Sequence, residues 1–219
     1  HLSIRRQRQM CIRDREIGSP TLQAFITDNS DLLKADMIFS ADGGQWGEDQ
    51  PSMIMGLKGL VGCEIMVSGA SGDQHSGMQG GGIANPIHAL SHIIASMKDI
   101  NGEIKVTGFY DDVVGLNVHD RQSISRVPFD EDAYIKKLGV PDVFGETGFT
   151  TPERLWARPT LELNGIWGGY QGEGTKTVLP AKAYAKITCR LVADQKPDQV
   201  YMLLKQHIQE HTPRGVTTD

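Results

Sequence analysis

The sequence predicts an α/β protein: one layer of helices on a mostly antiparallel sheet, attached to a partial second α/β unit that precedes it. Three observations predict this. Val61, Cys63, Ile65 and Val67 alternate with Gly62, Glu64 and Met66, the period-two pattern of a half-buried strand. A second alternation sets Ala183, Ala185, Ile187, Cys189 and Leu191 on one face and Tyr184, Lys186, Thr188 and Arg190 on the other. Two helical stripes follow these strands in turn: Ile83, Ile87, Leu90, Ile94 and Met97, then Val200, Leu203, Leu204, His207 and Ile208.

Residues 1 to 15, HLSIRRQRQMCIRDR, carry five arginines, no lysine and no apolar core of a signal peptide. They resemble a translated cloning adapter more than native chain and are set aside from fold reasoning. Thr21 to Phe25 with Leu32 and Leu33 reads as a helix and loop. The apolar run Asp36 to Phe39 ends in Ser40-Ala41-Asp42-Gly43-Gly44, the kind of loop that follows a buried strand. After the Val61 strand comes GDQHSGMQGGG, residues 72 to 82, and then the first helix, with Pro86 in its opening turn and an end expected near Asn101-Gly102. Residues 103 to 158 read as an insertion, with a short strand at Ile104-Lys105-Val106 and a helix around Asp130 to Leu138. A strand over Thr160 to Gly165 leads into WGGYQGEG, and the last helix follows Pro197. No closing element is legible after it in Arg214 to Asp219, and both ends read as cut. The order β-α-β, insertion, β-β-α is that of a ferredoxin-like layer.

Composition excludes several functions. Hydrophobic residues make up 39% and charged residues 22% of 219, and no window approaches the ~18 apolar residues of a membrane span. The net charge is −5, or −9 once five Arg and one Asp of residues 1 to 15 are removed, and no basic stripe carries interleaved aromatics. A nucleic-acid partner is therefore not expected. The three cysteines, Cys11, Cys63 and Cys189, lack metal-type spacing; Cys63 and Cys189 read as small buried hydrophobes in a reduced, cytoplasmic setting.

The glycine-rich GDQHSGMQGGG is open to two readings by itself. Its backbone N–H groups could cradle a phosphate, although neither GxxxxGK[ST] nor GxGxxG is present; or it is a structural turn. The order REIGSP, DMIFSADGGQW, GLKGLVG, SGDQHSG-(x)2-GG and GTKTVLPAKAYAKITCRLV is, however, similar to the co-catalytic dizinc hydrolases: carnosinase-type dipeptidases, aminoacylase, acetylornithine deacetylase and glutamate carboxypeptidases. The resemblance spans residues 16 to about 212, and is nearest to the cytosolic dipeptidase branch. It implies a partial catalytic zinc-hydrolase domain over 16 to 58, a lid or dimerisation domain over 59 to 212, and a return towards the catalytic domain from 213.

The resemblance also implies roles. Glu16 and Asp42 match metal ligands of a two-zinc site, in which carboxylates and imidazoles suit zinc. His75 matches a lid histidine that reaches across a two-fold interface into the neighbouring subunit's active site and stabilises the developing oxyanion. Arg190 matches an arginine that pairs with a substrate carboxylate, and Thr177, thirteen residues before it, a substrate-binding position. The implied partners are a small peptide or N-acyl amino acid and a second copy of the chain. His75 is thus expected in an exposed loop at the edge of the lid sheet, with Thr177 and Arg190 on the same side. The chain also departs from the pattern. The general-base glutamate of the family falls at Arg15, which cannot accept a proton, and the remaining ligands have no counterpart. The chain alone is therefore expected to be an inactive fragment. The rival reading is a non-catalytic ferredoxin-like dimerisation or binding module.

Overall fold

The computed structural model describes residues 19–37, 44, 46–54 and 56–219. It divides into two units, His1–Met55 and Gly56–Asp219, three residues before the boundary expected from sequence. In the first unit, α1 (Leu22–Asp28) and α2 (Ser30–Leu33) bury no residue.

The second unit is built on a four-stranded sheet. Strand β1 (Gly59–Ser68) is followed by a two-residue strand β2 (Gln74–His75), a single-turn helix α3 (Ser76–Gln79) and helix α4 (Pro86–Met97). The insertion holds α5 (Val118–Ser125), α6 (Glu131–Leu138) and α7 (Thr151–Ala157). Strands β3 (Thr160–Gly168), β4 (Val178–Leu179) and β5 (Lys182–Leu191) come next, then α8 (Pro197–Glu210) and β6 (Thr217–Thr218). The sheet order is β3-β5-β1-β6, with β5 antiparallel to both β1 and β3, and β1 antiparallel to β6. This is the ferredoxin-like order that the sequence predicts: each helix crosses over one intervening antiparallel strand.

The alternation along β1 and β5 decides which face is covered. Ile65, Val67, Ala183, Ala185, Ile187, Cys189 and Leu191 are all buried, and they meet Leu90, Ile93 and Met97 of α4 and Val200 and Leu204 of α8. The other face keeps Lys186 and Arg190 exposed, and there Trp167 stacks on Tyr184 with ring centroids 5.1 Å apart. Burial pushes the Cys189 thiol up to about 12, as expected of a small buried hydrophobe, and raises that of Cys63, which is only half-buried against the core.

Four local expectations are corrected. Helix α4 starts at Pro86 as expected, with Asn85 accepting the Ile87 N–H as its cap, but it ends at Met97 rather than near Gly102. Ile104-Lys105-Val106 is no strand: it makes one bridge, Lys98 to Ile104, while Ile104 and Val106 are buried in the core. β3 runs on to Gly168 through a bulge at Asn164. The expected lack of a closing element after α8 is also wrong, since β6 returns to β1 and Met66 and Asp219 exchange both backbone bonds, at 2.8 and 3.0 Å.

Candidate functional site

GDQHSG forms a projecting ribbon rather than a loop at the edge of the main sheet. β2 pairs with β4 as a separate two-stranded sheet, His75 opposite Val178 and Gln74 opposite Leu179. Asp73 pins its base, accepting the Ala181 N–H at 2.9 Å, and the Gly69 N–H donates to the carbonyl of Ala181 at 2.9 Å. Sequence reasoning gave Asp73 no role, although its place two residues before His75 was visible.

His75 is exposed, at the tip of this ribbon, and its Nδ1 accepts the N–H of Gly77 at 3.0 Å. An imidazole nitrogen that accepts a hydrogen bond carries no proton, so the neutral ring holds its proton on Nε2. Nε2 lies 3.3 Å from the Thr177 hydroxyl, and the Ser76 N–H donates to the Thr177 carbonyl at 3.1 Å. Residues 102 apart in sequence are thus held together, with one N–H donor at an exposed tip. Gly77 leaves room for the ring: a Cβ on it would stand 3.0 Å from His75 Cε1 and 3.2 Å from Nδ1, so the imidazole would have to shift.

The structure does not bring Arg190 to this pair. The ribbon attaches beside Lys182, at the start of β5, whereas Arg190 lies at its far end between Leu60 and Thr160. Eight residues of strand separate the two positions by roughly 27 Å. His75 and Thr177 are thus brought together, whereas Arg190, expected to serve one pocket with them, lies at the other end of β5 and lines a separate cleft of about 620 Å³. Glu16 and Asp42 lie outside the described residues. Among the described residues, no group of three or more His, Cys, Asp or Glu side chains could hold a metal ion. No described helix is long and apolar enough to cross a membrane.

The second unit is thus a ferredoxin-like domain that carries an exposed imidazole, with its proton on Nε2, on a separate two-stranded ribbon. The chain belongs to the M20 peptidase family: residues 55–216 match its peptidase dimerisation domain. It is similar to the Cys-Gly metallodipeptidase dug1 of Schizosaccharomyces pombe, 31% identical over 88% of this chain and 41% of the relative. It is also similar to the Beta-Ala-His dipeptidase of Rattus norvegicus, 28% identical over 89% of this chain and 40% of the relative. Among solved structures, an M20 family metallo-carboxypeptidase from Sulfolobus solfataricus superposes with a TM-score of 0.74 at 33% identity, covering 93% of this chain and 46% of that one. The chain thus spans about two fifths of the length of the curated relatives it matches.

Proposed function

We propose that this chain is the lid and part of the catalytic domain of a metal-dependent dipeptidase or amidohydrolase, which cleaves a peptide or N-acyl amide bond of a small substrate bearing a free carboxylate. Its dipeptidase relatives support that substrate class. Residues 16–58 belong to the catalytic part, with Glu16 and Asp42 as zinc ligands of a two-ion site, and residues 59–212 form the lid. A donor set for zinc does not occur among the described residues, so the groups whose geometry bears on the reaction are those of the lid. His75 donates its Nε2–H to the oxygen on which charge develops, in the active site of a second copy. Thr177 stands beside it to take a polar group of the same substrate, and Arg190 binds the substrate carboxylate.

The observation that carries this reading is the His75–Thr177 pair, exposed and tautomerically fixed on its ribbon. The distance to Arg190 fits it. One copy cannot supply all three groups to one substrate, but two copies can, each site taking Arg190 from one protomer and His75 with Thr177 from the other. One observation favours the alternative of a non-catalytic dimerisation module: Arg15 stands where the family pattern has its general base.

Complementation separates the two. In a protein that joins this chain to a complete metal site, His75→Ala and Asp42→Asn copies should each be nearly inactive, the first by about 10²–10³-fold in kcat as for loss of one oxyanion donor. Random pairing of the two should restore on the order of a quarter of wild-type activity, since half the dimers hold one intact site. A mixture no more active than its parts would sink the trans-acting role. Inactivity of the unsubstituted protein would favour the binding module.

A further inference from the structure

The cleft that Arg190 lines carries a second cation whose partners are only backbone. Lys58 stands immediately before β1, half-buried, and its Nζ donates to the carbonyls of Arg158 at 2.6 Å and Arg154 at 3.3 Å on α7 and its C-terminal cap. An ammonium has three N–H donors, so one remains. Arg190, one strand away and opposite Leu60, makes no side-chain ion pair or hydrogen bond among the described residues.

The other charged groups of the cleft are engaged elsewhere. Glu146 takes both Nε and Nη2 of Arg158, at 2.7 and 2.5 Å, and its carbonyl accepts Nε of Arg154 at 3.0 Å. Glu162 is paired with Lys98 at 3.1 Å. The cleft therefore sets three cations on its wall with no carboxylate paired to any of them, Lys58, Arg154 and Arg190, and of these Arg154 spends its Nε on the Glu146 carbonyl while Lys58 and Arg190 are close enough to act on each other. Their mutual repulsion is felt: burial first, and then the charge of Arg190, bring the Lys58 amine down to about 8. Like charges held together in a partly desolvated cleft favour an anion between them.

We propose that Lys58 and Arg190 form a two-cation cradle for one carboxylate, so that Lys58 is a second substrate-binding residue beside Arg190. This rests on the reading of Arg190 as the substrate-carboxylate contact and adds a residue to it. Arg190 offers a planar fork, and Lys58 a single N–H held in place by the two carbonyls. A substrate with an amidated C-terminus would lose both contacts.

The test uses the 219-residue chain itself, titrated with N-acetylglycine at constant ionic strength and followed by backbone amide NMR shifts. N-acetylglycinamide serves as the uncharged control. Saturable shifts at Leu57, Lys58, Gly59 and Arg190 are expected with the acid and not with the amide. Lys58→Met should weaken binding about tenfold, as expected for a charge-assisted hydrogen bond, and Lys58→Arg should restore most of it. Wild-type affinity should fall as pH rises through about 8, where Lys58 loses its proton, and this fall should vanish in Lys58→Arg. The spectra themselves report whether each variant folds. Binding by Lys58→Met equal to wild type would overturn the role of Lys58 while leaving Arg190 as the carboxylate contact, provided Arg190→Met weakens it. Binding undiminished in Arg190→Met would overturn the cradle and the Arg190 assignment together, as would a titration with no saturable shift.

Discussion

At the scale of single residues, the site depends on what one glycine permits. The Gly77 N–H bonds His75 Nδ1 with the ring packed where a Cβ on residue 77 would crowd it. Gly77→Ala would place a methyl group at 3.0–3.2 Å from the ring atoms, turning the imidazole and breaking the bond that fixes its tautomer. The proton would then distribute over both nitrogens, and the donor at Nε2 would be present only part of the time. The imidazole ¹⁵N shifts of His75 should move from an Nε2–H pattern towards a mixture, with the unfolding midpoint changing by less than the equivalent of about 0.5 kcal/mol, since the ribbon is exposed. Unchanged ¹⁵N shifts would show that Thr177 alone fixes the ring. The sequence showed the motif but not this geometry: His75 sits in a strand only two residues long, with Asp73 just before it and Gly77 in the helical turn after it, too short for any periodic signal.

At the scale of elements, legibility followed length and amphipathicity. β1, β5, α4 and α8 could be read because each buries one face of ten or more residues, so the hydrophobic period repeats several times. In the insertion, α6 was read as the helix around Asp130 to Leu138 although it buries no residue, while α5, which buries none, and α7, only seven residues long, were not read. Their signals were at the ends instead: Asn117 with Asp120, and Thr150 with Glu153, form reciprocal capping boxes that start α5 and α7. The separation of the ribbon from Arg190 was not read, although the length of β5 follows from its residue count. The packed elements make two predictions. Ile93 is wholly buried between α4 and the sheet, so Ile93→Ala should cost about 2–5 kcal/mol in chemical unfolding; a loss below about 1 kcal/mol would mean that the site collapses around the cavity. His207 on α8 is 4% exposed and bonds Ser96 of α4 at 2.9 Å, while burial and then the neighbouring His211 lower its pKa, against a smaller upward push from Glu210. Because the folded chain binds this proton less readily than the unfolded one, the stabilisation is complete above about pH 6.5 and is lost as pH falls below it. Thermal melts should show a smaller drop between pH 7.5 and 5.5 in His207→Gln than in wild type. An equal drop would assign the pH dependence to other groups.

At the scale of the whole molecule, the described residues set two groups of polar side chains at opposite ends of one sheet. The ribbon with His75 and Thr177 lies at one end of β5 and the cleft with Lys58 and Arg190 at the other, and neither contains a metal-binding set among the described residues. A zinc site of the co-catalytic kind needs a bridging carboxylate and imidazole ligands, because each ion takes about four donors. Of the described histidines, His207 is bonded to Ser96, His211 to the His207 carbonyl at 2.9 Å, and His75 to Gly77. Glu16 and Asp42 would supply two carboxylates, and Arg15 beside Glu16 adds positive charge where a base would sit. The chain as written should therefore bind fewer than two zinc ions tightly, and should not hydrolyse dipeptides. Equilibrium dialysis against zinc, with the metal quantified by atomic absorption, checks the first statement without reference to activity. Glu16→Gln and Asp42→Asn together should remove whatever tight binding is found, while His75→Ala should leave it unchanged, because His75 belongs to the lid. Two tightly bound zincs per chain, retained in the double variant, would mean that the ligands lie elsewhere in the sequence and that Glu16 and Asp42 are not among them.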